Sequence, residues 1–311
     1  MQLHCLGTAG YHPNETRHTS CYFLPSEGII LDAGTGLFRV RDFIQTETLD
    51  IILSHAHLDH IAGLTFLLDV LYEKNVRRLR IWGQSKKLDA IRAHLFSELI
   101  FPVGLEHLDL DLQWRALDEL TEIQLGDCNV DWRAQQHPGG SLGFRLQWTG
   151  GCKLMYLTDT VGSTETAFLD WASGANLMLH ECYFANKLAK WAETTGHTWS
   201  DRLVEIIQGT AAQHVLITHL NPLDPHPEAI VNEVATGLDA LGVDALGVDA
   251  VELGAVELGA VELGAVELGA VGLARSQGQN GLEARVKLTL AEDHLVVPVS
   301  GPASPAGGDI P

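Results

Sequence analysis

Positive charge is scarce in this 311-residue chain: 20 Lys plus Arg stand against 40 Asp plus Glu, a formal net charge of −20. A field of that sign repels a polyanion more than it steers one, so double-stranded DNA is excluded as a partner and a firm grip on a large RNA is not expected. Cysteine is also sparse. Cys5, Cys21, Cys128, Cys152 and Cys182 are odd in number and form no C-x-x-C pair, which predicts reduced, mostly buried thiols rather than a disulfide framework or a thiolate metal site. No apolar run reaches the roughly 18 residues of a membrane span, and no charged-then-apolar segment opens the chain. The expectation is a cytoplasmic protein with no membrane partner. Trp114, Trp132, Trp148 and Trp171 lie in or beside strand and helix patterns, where core packing is their expected role.

Histidine, in contrast, is concentrated. Ser54-His55-Ala56-His57-Leu58-Asp59-His60 follows the apolar strand-like residues 50–53. In an extended stretch, side chains two apart point the same way, so His55 and His57 can grip one ion from one side. Asp59 and His60, beyond the turn, can face a second. Imidazole nitrogen and carboxylate oxygen without thiolate suit zinc or a similar first-row divalent ion at a catalytic site. A histidine-rich surface loop is the bland alternative. Further on, His137 separates strand patterns at 128–134 and 144–148, Asp159 ends the run 154–159, and His219 ends the run 215–219. Each stands where a buried strand delivers a side chain to the rim of a sheet. Taken singly, each also reads as an ordinary turn residue.

The segment H-x-H-x-D-H resembles the signature of the metallo-β-lactamase superfamily, and His137, Asp159 and His219 follow in that family's order. The resemblance implies that His55, His57 and His137 hold one divalent ion, that Asp59, His60 and His219 hold the other, and that Asp159 bridges them. The ions would be zinc, with manganese as the alternative, about 3.5–4 Å apart with a nucleophilic hydroxide between them. The fold implied is α/β, a four-layer αββα sandwich of two mixed β-sheets with the metals at one edge.

Other stretches resemble the ribonuclease Z and phosphodiesterase branch. They are the opening loop 6–20, the pattern H-x-x-x-S-x-G-[FY]-R over 137–145, and Leu179-His180-Glu181-Cys182-Tyr183-Phe184, which is similar to H-E-A-x-F with cysteine and tyrosine inside it. Gly196-His197-Thr198 matches G-H-[ST]. The resemblance makes Asp59 and His197 the catalytic candidates. It places His197 beside the scissile phosphate, where an imidazole can contact a phosphate oxygen or protonate the leaving oxygen. The alternative for this segment is a helix N-terminus capped by Thr198 or Ser200. His180 and Glu181 are expected to support the site rather than perform chemistry, and Arg17 and His18 either meet a phosphate or remain loop charges.

One departure bears on substrate. Ribonuclease Z members that process transfer RNA carry a long flexible arm between the third histidine and the bridging aspartate, whereas His137 and Asp159 are 22 positions apart here. The expected reaction is hydrolysis of a phosphodiester that is small, cyclic or a short RNA end. Two alternatives stay open: a hydrolase of a thioester, lactone or lactam on the same scaffold, and a non-catalytic binding protein. Relatives of this group commonly dimerise, which makes a homodimer a further expectation.

Residues 1–236 and 272–299 read as a single hydrolase domain. Strand patterns fall at 2–6, 21–24 and 29–32, and helix patterns at 61–73, 85–99, 165–172, 201–208 and 227–235. Residues 237–271 are seven pentapeptides, such as Glu-Leu-Gly-Ala-Val. A five-residue period spreads apolar positions around a helix and flips them between the faces of a strand. A mobile or loosely helical appendage is therefore expected, which a binding protein would use to recruit a partner. Strand patterns return at 282–290 and 294–299, and a Gly- and Pro-rich tail, 300–311, is expected to be disordered.

Overall fold

Short apolar runs broken by Gly, Pro and Asp build two sheets in a computed structural model that describes residues 1–246 and 285–300. The first sheet holds β1 (Gln2–Gly7), β2 (Cys21–Leu24), β3 (Ile29–Leu31), β4 (Thr48–Ile52), β5 (Arg78–Gly83) and β6 (Asp111–Ala116). The second holds β7 (Glu122–Leu125), β8 (Cys128–Gln135), β9 (Ser141–Trp148), β10 (Lys153–Leu157), β11 (Leu177–Glu181), β12 (His214–Thr218), β13 (Asp244–Leu246) and β14 (Arg285–Leu290), while β15 (Val296–Pro298) returns to the first. The strand orders are β15-β1-β2-β3-β4-β5-β6 and β13-β14-β12-β11-β10-β9-β8-β7. Each sheet is antiparallel at one end and parallel at the other, hence mixed.

Alternation along the strands sets the layers. Tyr22 and Leu24 face the second sheet and pack with Phe144, Leu154, Tyr156 and Leu179 in the central core. Phe23 of the same strand faces the other way, with Ile30, Ile51 and Ile81, onto an outer helical layer that includes Leu37, Leu64 and Leu67. Met155, Leu157 and Ile217 turn outward in the second sheet onto Phe168, Leu203, Ile207 and Val234. Helix, sheet, sheet, helix is the four-layer order expected.

The helices are α1 (Leu58–Ile61), α2 (Leu67–Leu71), α3 (Ser85–Ala90), α4 (Thr166–Ala172), α5 (Ala189–Thr195), α6 (Ser200–Thr210) and α7 (Glu228–Ala240). The pattern at 61–73 is not one helix. A 3₁₀ stretch, Ala62–Phe66, separates α1 from α2, because the Gly63 N–H donates to the Ala33 carbonyl at 2.8 Å instead of continuing the helical ladder. The pattern at 85–99 is also shorter, α3 giving way to one π turn over Ile91–Leu95. Strands β5 and β6 lie outside the strand patterns set out above. The closing strands divide between the sheets, β14 beside β12 and β15 beside β1.

The pentapeptide tract also departs from expectation at its start. Helix α7 runs past residue 236 to Ala240, with Leu238 fully buried. Asp244–Leu246 pairs in parallel with Arg285–Lys287. The first pentapeptides therefore continue the domain's own helix and sheet rather than an appendage, because Leu238 has an apolar surface to bury against. The expectations for the rest of the tract and for 301–311 lie outside the described residues. All five cysteines are free and buried. Among the described residues no helix is long and apolar enough to cross a membrane.

One buried polar unit joins β4 to β5. Asp50, 3% exposed, accepts hydrogen bonds from Arg80 Nε at 2.6 Å, Arg80 Nη2 at 2.7 Å and Trp82 Nε1 at 2.7 Å. Removing the carboxylate leaves a guanidinium and an indole N–H without their acceptor. Asp50→Ala is expected to lower unfolding free energy by about 3 kcal/mol in urea titrations; a change under about 1 kcal/mol would mean that solvent replaces the carboxylate.

Candidate metal centre

The site lies along one rim, where strands of both sheets end. The apolar run of β4 releases Ser54-His55-Ala56-His57 as extended chain before α1 carries Asp59 and His60. Asp159 follows β10 and His219 follows β12, both with left-handed backbone, φ 51° and 50°. Such a conformation is costly for a residue with a Cβ and persists only where the surroundings fix it. It turns each side chain off its strand and into the rim.

Seven side chains converge there. Asp159 Oδ1 lies 3.3 Å from His137 Nε2 and 3.7 Å from His55 Nε2, while His57 Nδ1 is 3.3 Å from His137 Nε2. Asp159 Oδ2 lies 2.9 Å from His60 Nε2 and 3.1 Å from His219 Nε2. Asp59 Oδ2 is 3.3 Å from each of those two nitrogens. The donor atoms fall into two separate sets, His55, His57, His137, Asp159 and Asp59, His60, His219, each compact enough to hold one cation, and an overlapping third, Asp159, His197, His219, is equally compact. One carboxylate thus turns an oxygen toward each set.

Several side chains are fixed from behind so that a lone pair faces inward. His60 Nδ1 donates to Asp32 Oδ2 at 2.7 Å, and His137 Nδ1 donates to the Gly196 carbonyl at 2.9 Å. Asp32 also accepts from Ser54 N, Ser54 Oγ and Tyr156 Oη at 2.6–2.7 Å, in the buried interior. Carboxylates and carbonyls behind metal-binding imidazoles act in this way, fixing tautomer and orientation. Asp32 is a supporting residue that the sequence reading did not single out. Its signal is the one that marks Asp159, an acid closing a short apolar run. Ser141 Oγ donates to the Asp159 carbonyl at 2.6 Å, which gives the serine of the 137–145 pattern a task. Arg145 of that pattern turns away and pairs with Asp131 at 2.7 Å.

Electrostatics suit cations. Burial, helped by His60, holds the His55 imidazole well below its ordinary pKa, and burial lowers His57 and His137 too. Burial opposes ionisation of Asp159, yet His219, His60 and His55 outweigh it and keep the carboxyl ionised. His60 shows the converse: Asp159, Asp59 and Asp32 outweigh burial and raise it. The buried His55 Nε2, aimed into the cluster, has no hydrogen-bond partner, a condition that a coordinated cation relieves. On donor type, burial and second partners, the residues fit a divalent metal.

His197 lies at the edge of the cluster, its ring 5.6 Å from that of His219 and 5.2 Å from that of His137. Its Nδ1 faces both oxygens of Glu181 at 3.1 and 3.2 Å. Glu181 is fully buried and also accepts from Thr160 N at 2.5 Å and Thr198 N at 3.2 Å. Burial alone would lower the imidazole's pKa; the Glu181 carboxylate outweighs it and raises the pKa to about 9. With Nδ1–H committed to Glu181, Nε2 is the atom left for the site. Thr198 donates its hydroxyl to the Thr160 carbonyl and Trp199 stands at the N-cap of α6, so neither Thr198 nor Ser200 caps that helix. His180 is buried, with Nδ1 on the Glu181 carbonyl, and belongs to no cluster among the described residues that could hold a metal. Arg17 reaches the Ala291 carbonyl and Glu292, and His18 reaches Thr35. Both tie the opening loop to neighbouring segments instead of lining the cluster.

That opening loop closes one side of the site. The Tyr11 N–H donates to Asp59 Oδ2 at 2.7 Å, and Gly10 lies flat against His219. A Cβ at position 10 would sit 2.3 Å from Cε1 and 2.5 Å from Nδ1 of that ring. Gly10→Ala is expected to push His219 aside and weaken metal binding roughly 10–100-fold in a chelator competition, with the far-ultraviolet spectrum unchanged. Unaltered affinity would show that the loop yields instead.

The span between His137 and Asp159 is filled by a turn and the hairpin β9–β10. A family described as beta-lactamase superfamily domain matches residues 28–220. The chain is 21% identical to the ribonuclease Z of Archaeoglobus fulgidus over 271 residues, covering 70% of this chain and 86% of that protein. The metallo-beta-lactamase fold protein YhfI from Bacillus subtilis superposes with a TM-score of 0.66 at 19% identity, covering 96% of this chain and 99% of its own. The short form of human tRNase Z superposes with a TM-score of 0.63 at 18% identity, covering 96% and 100%. At these identities the two structures speak for the fold, and the family match covers well over half of the sequence. With its sandwich of two mixed sheets and its histidine and aspartate rim, the chain belongs to the beta-lactamase superfamily.

Proposed function

We propose that this protein is a metal-dependent phosphodiesterase of the ribonuclease Z kind, acting through two divalent cations on a small or cyclic phosphodiester or a short RNA end. The observation that carries this reading is the Asp159 carboxylate, with one oxygen toward His137 and His55 and the other toward His60 and His219. His55, His57, His137 and Asp159 would hold one cation, and Asp59, His60, His219 and Asp159 the other. A set of imidazole and carboxylate donors suits zinc, with manganese as the alternative. When bound, the pair supplies an activated water and positive charge facing the phosphoryl oxygens.

The remaining steps fall to the chain's own groups. His197, held by Glu181, presents Nε2 to the leaving oxygen and gives it a proton as the phosphorus–oxygen bond breaks. Glu181 keeps the ring oriented and compensates its charge. Asp59, fixed by the Tyr11 N–H, keeps its carboxylate aimed at His60 and His219. The ribonuclease Z name of the A. fulgidus relative supports the phosphodiester choice, and the tight β9–β10 hairpin favours a compact substrate over one gripped by an arm. The test is a substrate panel on the zinc- and manganese-loaded protein, with bis-p-nitrophenyl phosphate, cyclic nucleotides, a precursor transfer RNA, and thioester, lactone and lactam substrates. Turnover of phosphodiesters alone is expected. Turnover of the acyl substrates with phosphodiesters untouched would contradict the reading.

A further inference from the structure

Four flat rings lie face to face through the centre. His60 stacks on His219 with centroids 5.2 Å apart and planes 23° apart, His219 on His197 at 5.6 Å and 23°, and His197 on Tyr183 at 4.8 Å and 22°. The three imidazoles have tasks in the reading above, two as metal holders and one as proton donor. Tyr183 has none.

Its place at the end of this column is held by the backbone. Tyr183 follows β11, and the N–H groups of Tyr183 and Phe184 both donate to the Thr198 carbonyl, at 3.1 and 3.3 Å, while the Ser200 N–H returns to the Phe184 carbonyl at 3.2 Å. Tyr183 is thus tied to the segment that carries His197. Its ring is half-buried and also meets that of Phe184, with centroids 4.8 Å apart. The H-E-A-x-F pattern leaves this position open, so the ring is a property of this chain.

The way His197 is held shows what such a ring can do. Its backbone is set by the end of α5, where Gly196 is left-handed at φ 84° and the His197 N–H donates to the Ala192 carbonyl at 2.9 Å. Its side chain is held through a single atom, Nδ1, on Glu181. A hydrogen bond at one atom leaves the ring free to rock about that contact, and rocking sweeps Nε2 at the opposite edge out of line. Walls on both faces prevent this. His219, backed by His60, is one wall, and Tyr183 is the other; a stacked pair fixes the plane of each ring as well as its place.

We propose that Tyr183 is a positioning residue for His197, closing the open face of the imidazole so that Nε2 stays aimed at the leaving oxygen. This rests on the reading of His197 as proton donor to a phosphodiester and adds the residue that orients it. Tyr183 acts through the imidazole alone.

The experiment compares Tyr183→Leu, which fills space without a flat face, with Tyr183→Phe, which keeps the face without the hydroxyl. On the zinc-loaded protein with a cyclic nucleotide, whose alkoxide leaves poorly, Tyr183→Leu is expected to lower kcat roughly tenfold with KM and metal content unchanged, and Tyr183→Phe to restore it. Added to His197→Ala, Tyr183→Leu should cost nothing more, because residues that act as a unit are not additive. A second readout needs no substrate. In nuclear magnetic resonance, the His197 Nδ1–H proton should exchange with water at least about threefold faster in Tyr183→Leu and at the wild-type rate in Tyr183→Phe. Tyr183→Met, also without a flat face, serves should Tyr183→Leu fail to fold. An unchanged exchange rate in the variant without the ring, or a full tenfold further loss in the His197→Ala background, would overturn the inference. Faster exchange with kcat unchanged, or a wild type that hydrolyses no phosphodiester, counts against the proton-donor reading instead, and the exchange rates still decide what Tyr183 does.

Discussion

His197→Ala is expected to lower kcat on a phosphodiester roughly 10²–10⁴-fold, the usual contribution of a positioned proton donor, with metal content unchanged. The two parts of this result matter together. His197 is tied to Glu181 through Nδ1, its ring flanks those of His137 and His219, and one of its nitrogens also lies within 4.8 Å of donor atoms of Asp159 and His219. Its removal leaves the seven side chains proposed to hold the metals, and their supports, in place. If kcat falls and the metal is lost as well, His197 is a ligand rather than an acid. If kcat is unchanged, the leaving oxygen takes its proton elsewhere. Substrates with good leaving groups separate these cases further: p-nitrophenolate needs little help to depart, so the loss should be smaller on bis-p-nitrophenyl phosphate than on a nucleoside ester.

Asp159→Ala is expected to be more damaging. The mutation removes the carboxylate proposed to serve both cations, and elemental analysis should find at most one metal per chain against the two expected of the wild type. Turnover should fall by about 10³-fold or more, since several kcal/mol of transition-state stabilisation at about 1.4 kcal/mol per tenfold disappears with the second charge. The fold should hold, because Asp159 closes a strand and lies beside the core rather than in it. Retention of two metals per chain would show that His55, His57, His137, Asp59, His60 and His219 suffice.

How legible this was in the sequence depends on where each residue sits. The residues of the H-x-H-x-D-H segment are neighbours in the chain, so spacing alone brings their side chains to one place. His137, Asp159 and His219 are distant along the chain, but each ends a short apolar run, and a buried strand leaves its last polar residue at the sheet's rim. The four layers followed from the family resemblance, and the alternation of Tyr22, Phe23 and Leu24 between two cores is their physical basis. What stayed hidden depends on contacts that no local pattern records. Glu181 and His197 meet only because β11 and the loop before α6 end together. Asp32 serves His60, Ser54 and Tyr156 from three different segments. In β5, Arg78 and Arg80 alternate with Leu79 and Ile81, and Arg80 finds its acid on the neighbouring strand only after the sheet has formed. The five-residue period of 237–271 concealed that its first residues extend α7 and add a strand, because a repeat predicts uniform behaviour while Leu238 and Asp244–Leu246 meet particular neighbours.

The account stands on the claim that these seven side chains hold two cations. Anomalous scattering at the zinc edge from crystals of the zinc-loaded protein tests it directly. Two peaks are expected, about 3.5–4 Å apart, with Asp159 between them, three histidines on one and Asp59, His60 and His219 on the other. A single peak, or a pair lying away from Asp159, would contradict it.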